Sequence, residues 1–277
     1  MFPRVRLRHI RLVPFALIQQ RLEFPDVAAV ARALEGVGEW HPVDAAHLVA
    51  DAFGILLRNL EEIPGRQLET AMRREGIGVD LVDERDLPVP PVSKKLRRAE
   101  VRPEAFVAFD PYDREILVSW ERVELVCAGA VRMTRFRPVT RNRDRDPSIW
   151  GEESSLPLEA SIALRHESRD VSITLRQEKR EWCWLADLLV AGRTLRFSFV
   201  SGEFVPSELE GPRIHNPDDR FRAFLRRLLV HVPHAILNRG AFAVREDDPD
   251  AAPRYPTRNA YQEEMVWLMR RMQSKDA

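Results

Sequence analysis

Two cysteines, four lysines and no net charge set the first limits on this chain. Cys127 and Cys183 are isolated in the sequence, too few for a disulfide framework or for a metal set of the C-x-x-C type. The expectation is therefore a reduced, cytoplasmic setting, with no cofactor and no metal. Charges and prolines interrupt every apolar run, including the basic opening Met1 to Ile10, well short of a signal-peptide core or a membrane span. Neither export nor membrane insertion is expected. The 43 basic residues are matched by 43 acidic ones, so no overall field draws the chain to nucleic acid or to an anionic surface. Lysine occurs only at Lys94, Lys95, Lys179 and Lys275, and arginine carries the remaining positive charge. A GC-rich genome produces that bias, so the number of arginines is not in itself a sign of phosphate binding.

What is present is apolar patterning, in 277 residues that are 44% hydrophobic, enough for two packed cores. The spacing predicts an α+β protein in which a small α/β sandwich over 1–87 is joined by a proline-rich linker, 88–95, to a mostly antiparallel β domain over 96–242. A flexible tether and an amphipathic helix over 243–277 follow. In the first domain Ile10 to Leu17 reads as a strand, and Asp26 caps a helix carrying Val27, Val30, Ala31 and Leu34. Pro42 opens a second helix running to Phe53, before the strand Ile55 to Leu57. A third helix bears Leu68, Ala71 and Met72 and is ended by Gly76, ahead of a strand through Ile77, Val79 and Leu81. Three prolines within Pro88 to Pro91 make a semi-rigid connector.

Downstream the period drops to two. Ala105 to Phe109, the turn Asp110 to Asp113, and Ile116 to Trp120 form a hairpin signal. Further strands over Val123 to Arg132, Ile162/Leu164, Val171 to Leu175, Trp182 to Leu188 and Leu195 to Phe199 give about seven in one antiparallel sheet. Residues 137–157 are charged and poor in aliphatics, and read as a mobile insertion. The strongest helix signal follows: Asn216 as cap, Pro217 at the first position, Asp218 and Asp219 at the positive end, then Phe221, Phe224, Leu225, Leu228, Leu229 and Val232 at helical spacing.

No constellation carries chemistry at comparable strength. His231 and His234 are three apart, but Pro233 interrupts their helix and no third ligand is near. Glu152 and Glu153, with Asp144 and Asp146, sit in the expected insertion without rigid support. Gly36 and Gly76 are at helix C-termini, where anions are not held. Trp120, Trp182 and Trp184 could stack bases, yet core packing is the better reading of large aromatics on strands. Two candidate binding surfaces remain. Arg213, Arg220, Arg222, Arg226 and Arg227 could make an anion-binding face, and arginines at Arg4, Arg6, Arg8 and Arg11 carry similar weight. Tyr261, Met265, Trp267, Leu268 and Met272 could enter a partner's groove, or dock on the chain's own β domain.

The run Leu117-Val-Ser-Trp-Glu-Arg-Val-Glu-Leu-Val126, between hairpins and closed by the Asn216 helix, resembles a bacterial pleckstrin-homology-like domain. The chain up to Leu87 is similar in outline to small α/β domains of the ribosomal-stalk and protease-adaptor type. Asp218 to Gly240 resembles the end of uncharacterised bacterial proteins with two domains in this order. These resemblances imply a binding module, and none matches a functional motif. The expectation is a non-enzymatic protein-interaction or adaptor module that meets a protein partner, or a second copy, through the last helix. A nucleic-acid binder using the arginine faces is the alternative, and a metal-dependent hydrolase using His231, His234 or the Glu152 loop is the third reading.

Overall fold

The computed structural model describes residues 13–37, 42–142, 172–190, 192–206 and 216–276. Its fold is α+β, with several sheets and a C-terminal helix. Met1–Val131 together with Cys183–Ala277 form one compact unit, and Arg132–Trp182 form another.

In the first unit, β1 (Phe15–Gln19), β2 (Ile55–Leu60) and β3 (Val79–Asp83) make an antiparallel sheet ordered β2-β1-β3. Helices α1 (Val27–Glu35), α2 (Pro42–Ala50) and α3 (Glu62–Arg74) follow the spacing read from the sequence, although α2 stops at Ala50, short of Phe53. The Asp26 carboxylate accepts from Ala28 N and Ala29 N, each at 3.3 Å, satisfying two of the donors that a helix start leaves open. Val30, Leu34, Leu68 and Met72 pack with Leu17 and Val79 on one face of the sheet. The other face is covered as well. Ala16, Ile18, Ile55, Val82 and Leu87 form a separate cluster with Val266, which belongs to the C-terminal helix α6 (Arg258–Asp276).

The expected single sheet of about seven antiparallel strands is instead two sheets. In the larger one, β8 (Val123–Asn142), β9 (Ser172–Val190) and β10 (Leu195–Val200) are flanked by β12 (Ile236–Leu237) and β4 (Ser93–Lys95), in the order β12-β8-β9-β10-β4. A further short strand, β13 (Arg254–Tyr255), also pairs with β8. The smaller sheet runs β11 (Val205–Pro206), β5 (Arg98–Val101), β6 (Ala105–Phe109), β7 (Glu115–Ser119). The β5-β6-β7 meander and the β9-β10 pair are antiparallel, while β4, β11, β12 and β13 join in parallel. These four segments, each two or three residues long, lack the length that gives an alternating pattern.

Helix α4 (Pro217–Val230) shares one core with both sheets. Phe221, Phe224, Leu225 and Leu228 pack with Val101, Phe106 and Val118 of the smaller sheet and with Ala186, Leu188, Phe197 and Phe199 of the larger. Asn216 caps α4 by accepting from Asp218 N at 2.9 Å, with Pro217 at the first turn as expected.

Three boundaries differ from expectation. Residues 93–95, placed in the proline-rich linker 88–95, form β4 and are held by β10. Residues 137–142, placed in the mobile insertion 137–157, extend β8; the rest of that insertion and Ile162/Leu164 lie outside the described residues. The expected tether from 243 onward is packed structure: α5 (Arg239–Arg245), a 3-10 turn at Pro249–Ala251, and β13, whose Tyr255 is fully buried. A single large aromatic is enough to anchor a polar stretch, because it alone removes up to about 200 Å² from water.

Candidate functional site

The densest polar cluster lies where α6, α5 and β8 meet. Asn238 caps α5 by accepting from Ala241 N at 2.8 Å, and the same amide locks onto β8 through Ala128 N at 2.8 Å and Ala128 O at 2.9 Å. It also donates to the Tyr255 hydroxyl at 3.0 Å. That close fit requires Gly240, since a Cβ there would stand 1.9 Å from the Ala128 carbonyl oxygen. Tyr255 in turn donates to the Glu264 carboxylate at 2.6 Å. Glu264 is fully buried and accepts from the Arg239 backbone N–H and guanidinium, both at 3.1 Å. The Arg239 guanidinium also lies 5.0 Å over the Phe24 ring and 5.3 Å over Phe53. Every oxygen of this buried carboxylate is therefore matched, the condition under which a charge is tolerated in an interior.

A second buried pair, Asp187 with Arg196, joins β9 to β10 through bonds of 2.7 and 3.0 Å. Arg58 makes a third, two-pronged bond to Glu263 of α6, at 2.8 and 2.7 Å, and faces Glu84 as well. Burial, followed by the nearby Asp187 and Glu264 charges, pushes the Cys127 thiol well above its usual pKa. Burial and the Glu264 carboxylate do the same to the Tyr255 phenol, and burial and Asp187 to that of Tyr261. All three groups are held protonated, the opposite of what a nucleophile or base requires. For Arg196, burial opposes the charge, but the Asp187 hydrogen bonds and charge outweigh it and raise its pKa. The arrangement braces these elements against one another.

The residues picked out by sequence are dispersed. Tyr261, Met265, Trp267 and Leu268 are buried against the chain's own elements, and Met272 is partly so, which corrects the expectation of a partner-binding stripe on the last helix. Trp267 donates its indole N–H to Gln19 O at 2.6 Å and lies against Gly54, where a Cβ would meet the ring at 2.5 Å. The helix is held by the α/β sheet as well as by the β domain, so it has almost no free face. On α4, Arg222 is paired with Asp219 and Arg226 with Asp247, and the Arg227 guanidinium reaches Val101 O at 3.5 Å. Arg213 lies outside the described residues. Of the arginines expected to form an anion-binding face, Arg222 and Arg226 are thus engaged by carboxylates of the chain itself.

His231 ends α4 and stacks on Trp120, with ring centroids 4.8 Å apart, while His234 is exposed. Among the described residues no group of three His, Cys, Asp or Glu side chains could hold a metal ion. Glu152 and Glu153 lie outside them. Trp120 and Trp184 are core residues as expected; Trp182 is 44% exposed and is not. Three hollows of about 490, 720 and 370 Å³ lie beside the α/β sheet, the α1–α3 groove, and the gap between β2 and the start of α6. None is lined by Cys127, Tyr255, Asp187 or Glu264.

The buried pairs were missed from sequence, although Asp187 inside Trp184-Leu-Ala-Asp-Leu-Leu-Val190 was a visible signal. Asp187 pairs with Ser198 across the ladder, which sets Arg196 diagonally opposite on the same face. No helix among the described residues is long and apolar enough to cross a membrane. Compared with protein-family models, with curated proteins and with solved structures, the chain matches none.

Proposed function

We propose that this chain is a non-enzymatic interaction module of the cytoplasm, working by contact with a macromolecular partner. One observation carries the reading: the buried ionisable side chains, Glu264 with Arg239 and Tyr255, and Asp187 with Arg196, face one another and not a cleft. Catalytic groups are normally set at the wall of a pocket, with a pKa tuned toward the working pH. Here the titratable interior is tuned away from it. The resemblance of Leu117 to Val126 and the Asn216 helix to a bacterial pleckstrin-homology-like domain points the same way. The last helix supports no partner role, because its apolar residues are already spent on the fold.

The test is turnover. The purified full chain, offered simple ester, phosphoester and peptide substrates with magnesium, manganese or zinc added, is expected to give the buffer rate. Metal-dependent turnover that disappears in His231→Ala or His234→Ala would overturn the reading in favour of a hydrolase.

A further inference from the structure

A strand at the rim of a sheet offers its outward N–H and C=O groups to any chain that can align with them, and folded proteins blunt such rims. Most rims of this chain carry a recognisable device. Strand β2 is bent by register shifts on either side of its Leu17 partner, and its Asn59 has a left-handed φ of 57°. On β3, side chains of α3 plug the backbone: Arg73 Nε donates to Val79 O at 2.9 Å, and the Leu81 N–H donates to the Glu69 carboxylate at 3.1 Å. Strand β4 exposes Lys94 and Lys95, while β11, β12 and β13 are two residues each, with Pro206 in β11. Strand β7 differs. It ends the smaller sheet as five residues, Glu115-Ile-Leu-Val-Ser119, paired with β6 in an unbroken register and containing neither lysine nor proline.

The phase of the hairpin decides which groups this rim presents. Opposed residues of an antiparallel pair alternate between exchanging backbone bonds and exchanging none. The bond from Asp110 N to Arg114 O, 3.1 Å, therefore makes Ala108 with Ile116, and Phe106 with Val118, the exchanging pairs. Ile116 and Val118 direct their backbone groups at β6, so those of Glu115, Leu117 and Ser119 point to the open side. The side chains alternate as well: Val118 is buried and Ile116 packs against the core, whereas Leu117 is 64% exposed. Glu115 accepts from the Arg102 guanidinium at 2.8 Å, and Arg102 follows β5 on the far side of β6, so the carboxylate is drawn back over the sheet. Tyr112, in the turn before β7, is exposed.

We propose that β7 is the contact through which two copies of this chain pair, antiparallel about a two-fold axis at Leu117. In that register Leu117 opposes its own copy and Glu115 opposes Ser119, so the outward backbone groups are matched, apolar meets apolar, and no carboxylate faces another. On the inner face Ile116 comes opposite Val118 and each core continues into the next. This self-complementarity favours a second copy over an unrelated extended segment, which would have to supply the same pattern by chance. The two-fold also carries the Tyr112 turn of each copy beyond Ser119 of the other, adding aromatic area at both ends. A pairing of this length lies at the low end of interface sizes, under about 1,200 Å² in all, where association is weak and reversible. The inference goes beyond the proposal of a non-enzymatic module and does not depend on it.

Sedimentation of the purified full chain across about 10–500 µM, a span suited to a weak interface, is expected to show a reversible shift from one copy to two. Leu117→Pro is expected to raise the dissociation constant by at least about tenfold, because it removes a rim N–H and leaves the bonds to β6, a position where strands tolerate proline. Leu117→Lys sets two like charges opposite each other across the axis and is expected to act in the same direction; it stands in if the proline variant has a lowered thermal midpoint. Val230→Lys, on the exposed side of α4, is expected to leave pairing unchanged. Residue-resolved amide exchange reads the register directly. Protection at Glu115, Leu117 and Ser119 is expected to grow with protein concentration, while Ile116 and Val118, already bonded to β6, stay constant. A single copy at every concentration, which would leave this rim to a different chain, would overturn the proposal. So would a dimer indifferent to both Leu117 variants, or protection that grows at another strand instead.

Discussion

Helices α4 and α6 both complete a sheet, but α4 is buried along one side and α6 nearly all the way round. On α4, Phe221, Phe224, Leu225, Leu228 and Leu229 face the core while Val230 is exposed and Arg222 and Arg226 form ion pairs at the partly exposed side. On α6, every residue from Ala260 to Met269 is buried except Gln262, which is partly so. A helix that lies along one side of a core needs only an apolar stripe; a helix covered nearly all round must bring its polar partners inside.

The sharpest way to break this contrast is to remove a charge from each helix. Glu264→Ala leaves Arg239 and the Tyr255 hydroxyl without their acceptor and is expected to cost about 3–5 kcal/mol in urea unfolding. Arg226→Ala, which removes an exposed pair with Asp247, is expected to cost less than about 1 kcal/mol. Comparable losses at both positions would end the distinction.

Alkali separates the two regions next. Cys127, Tyr255 and Tyr261, all at the α6 side of the body, have pKa values raised by burial, so the folded state keeps protons that the unfolded chain gives up. Stability is then full below about pH 8.5, where an unfolded thiol titrates, and falls above it, more steeply beyond about pH 10 where unfolded phenols follow. Each group contributes a slope of up to about 1.4 kcal/mol per pH unit. Urea midpoints measured between neutral and strongly alkaline pH should show this decline, and Cys127→Ala should remove its first part. A midpoint flat across that range would contradict the burial argument.

The smallest effect sharpens the comparison within α6's surroundings. Tyr255 and Tyr261 meet edge to face, with centroids 5.2 Å apart, yet only Tyr255 has a hydroxyl partner; the Tyr261 oxygen is buried without one. Tyr255→Phe is expected to destabilise by about 1.5–3 kcal/mol, the worth of a bond to a charged group. Tyr261→Phe is expected to stabilise by about 1 kcal/mol, since it removes an unsatisfied oxygen. Differential scanning of both variants decides whether the signs are opposite.

The same contrast explains what could be read from the chain. Asn216, Pro217 and the Phe221 to Leu229 spacing specify α4 completely, because capping and amphipathicity are local. The position of α6 was not legible from Tyr261, Met265 and Leu268 alone, since an apolar stripe does not name the surface it meets. The missing signal lay far away, in Phe15-Ala-Leu-Ile18: successive apolar residues on a strand demand cover on both faces. The outer part of β8 was hidden for a different reason. Arg135 to Asn142 has no apolar alternation, and periodicity is what a strand assignment depends on. Of the candidate sites, the arginines of α4 were correctly located on the helix, but their ion partners come from elsewhere along the chain or from the next turn, beyond the reach of composition.

The contact between Val266 and the cluster of Ala16, Ile18, Ile55 and Val82 also has a consequence in time. During translation those sheet residues emerge from the ribosome long before Val266 does, so the nascent chain carries an oily, half-finished surface through the synthesis of everything in between. A surface left open for that interval is exposed to aggregation until α6 covers it.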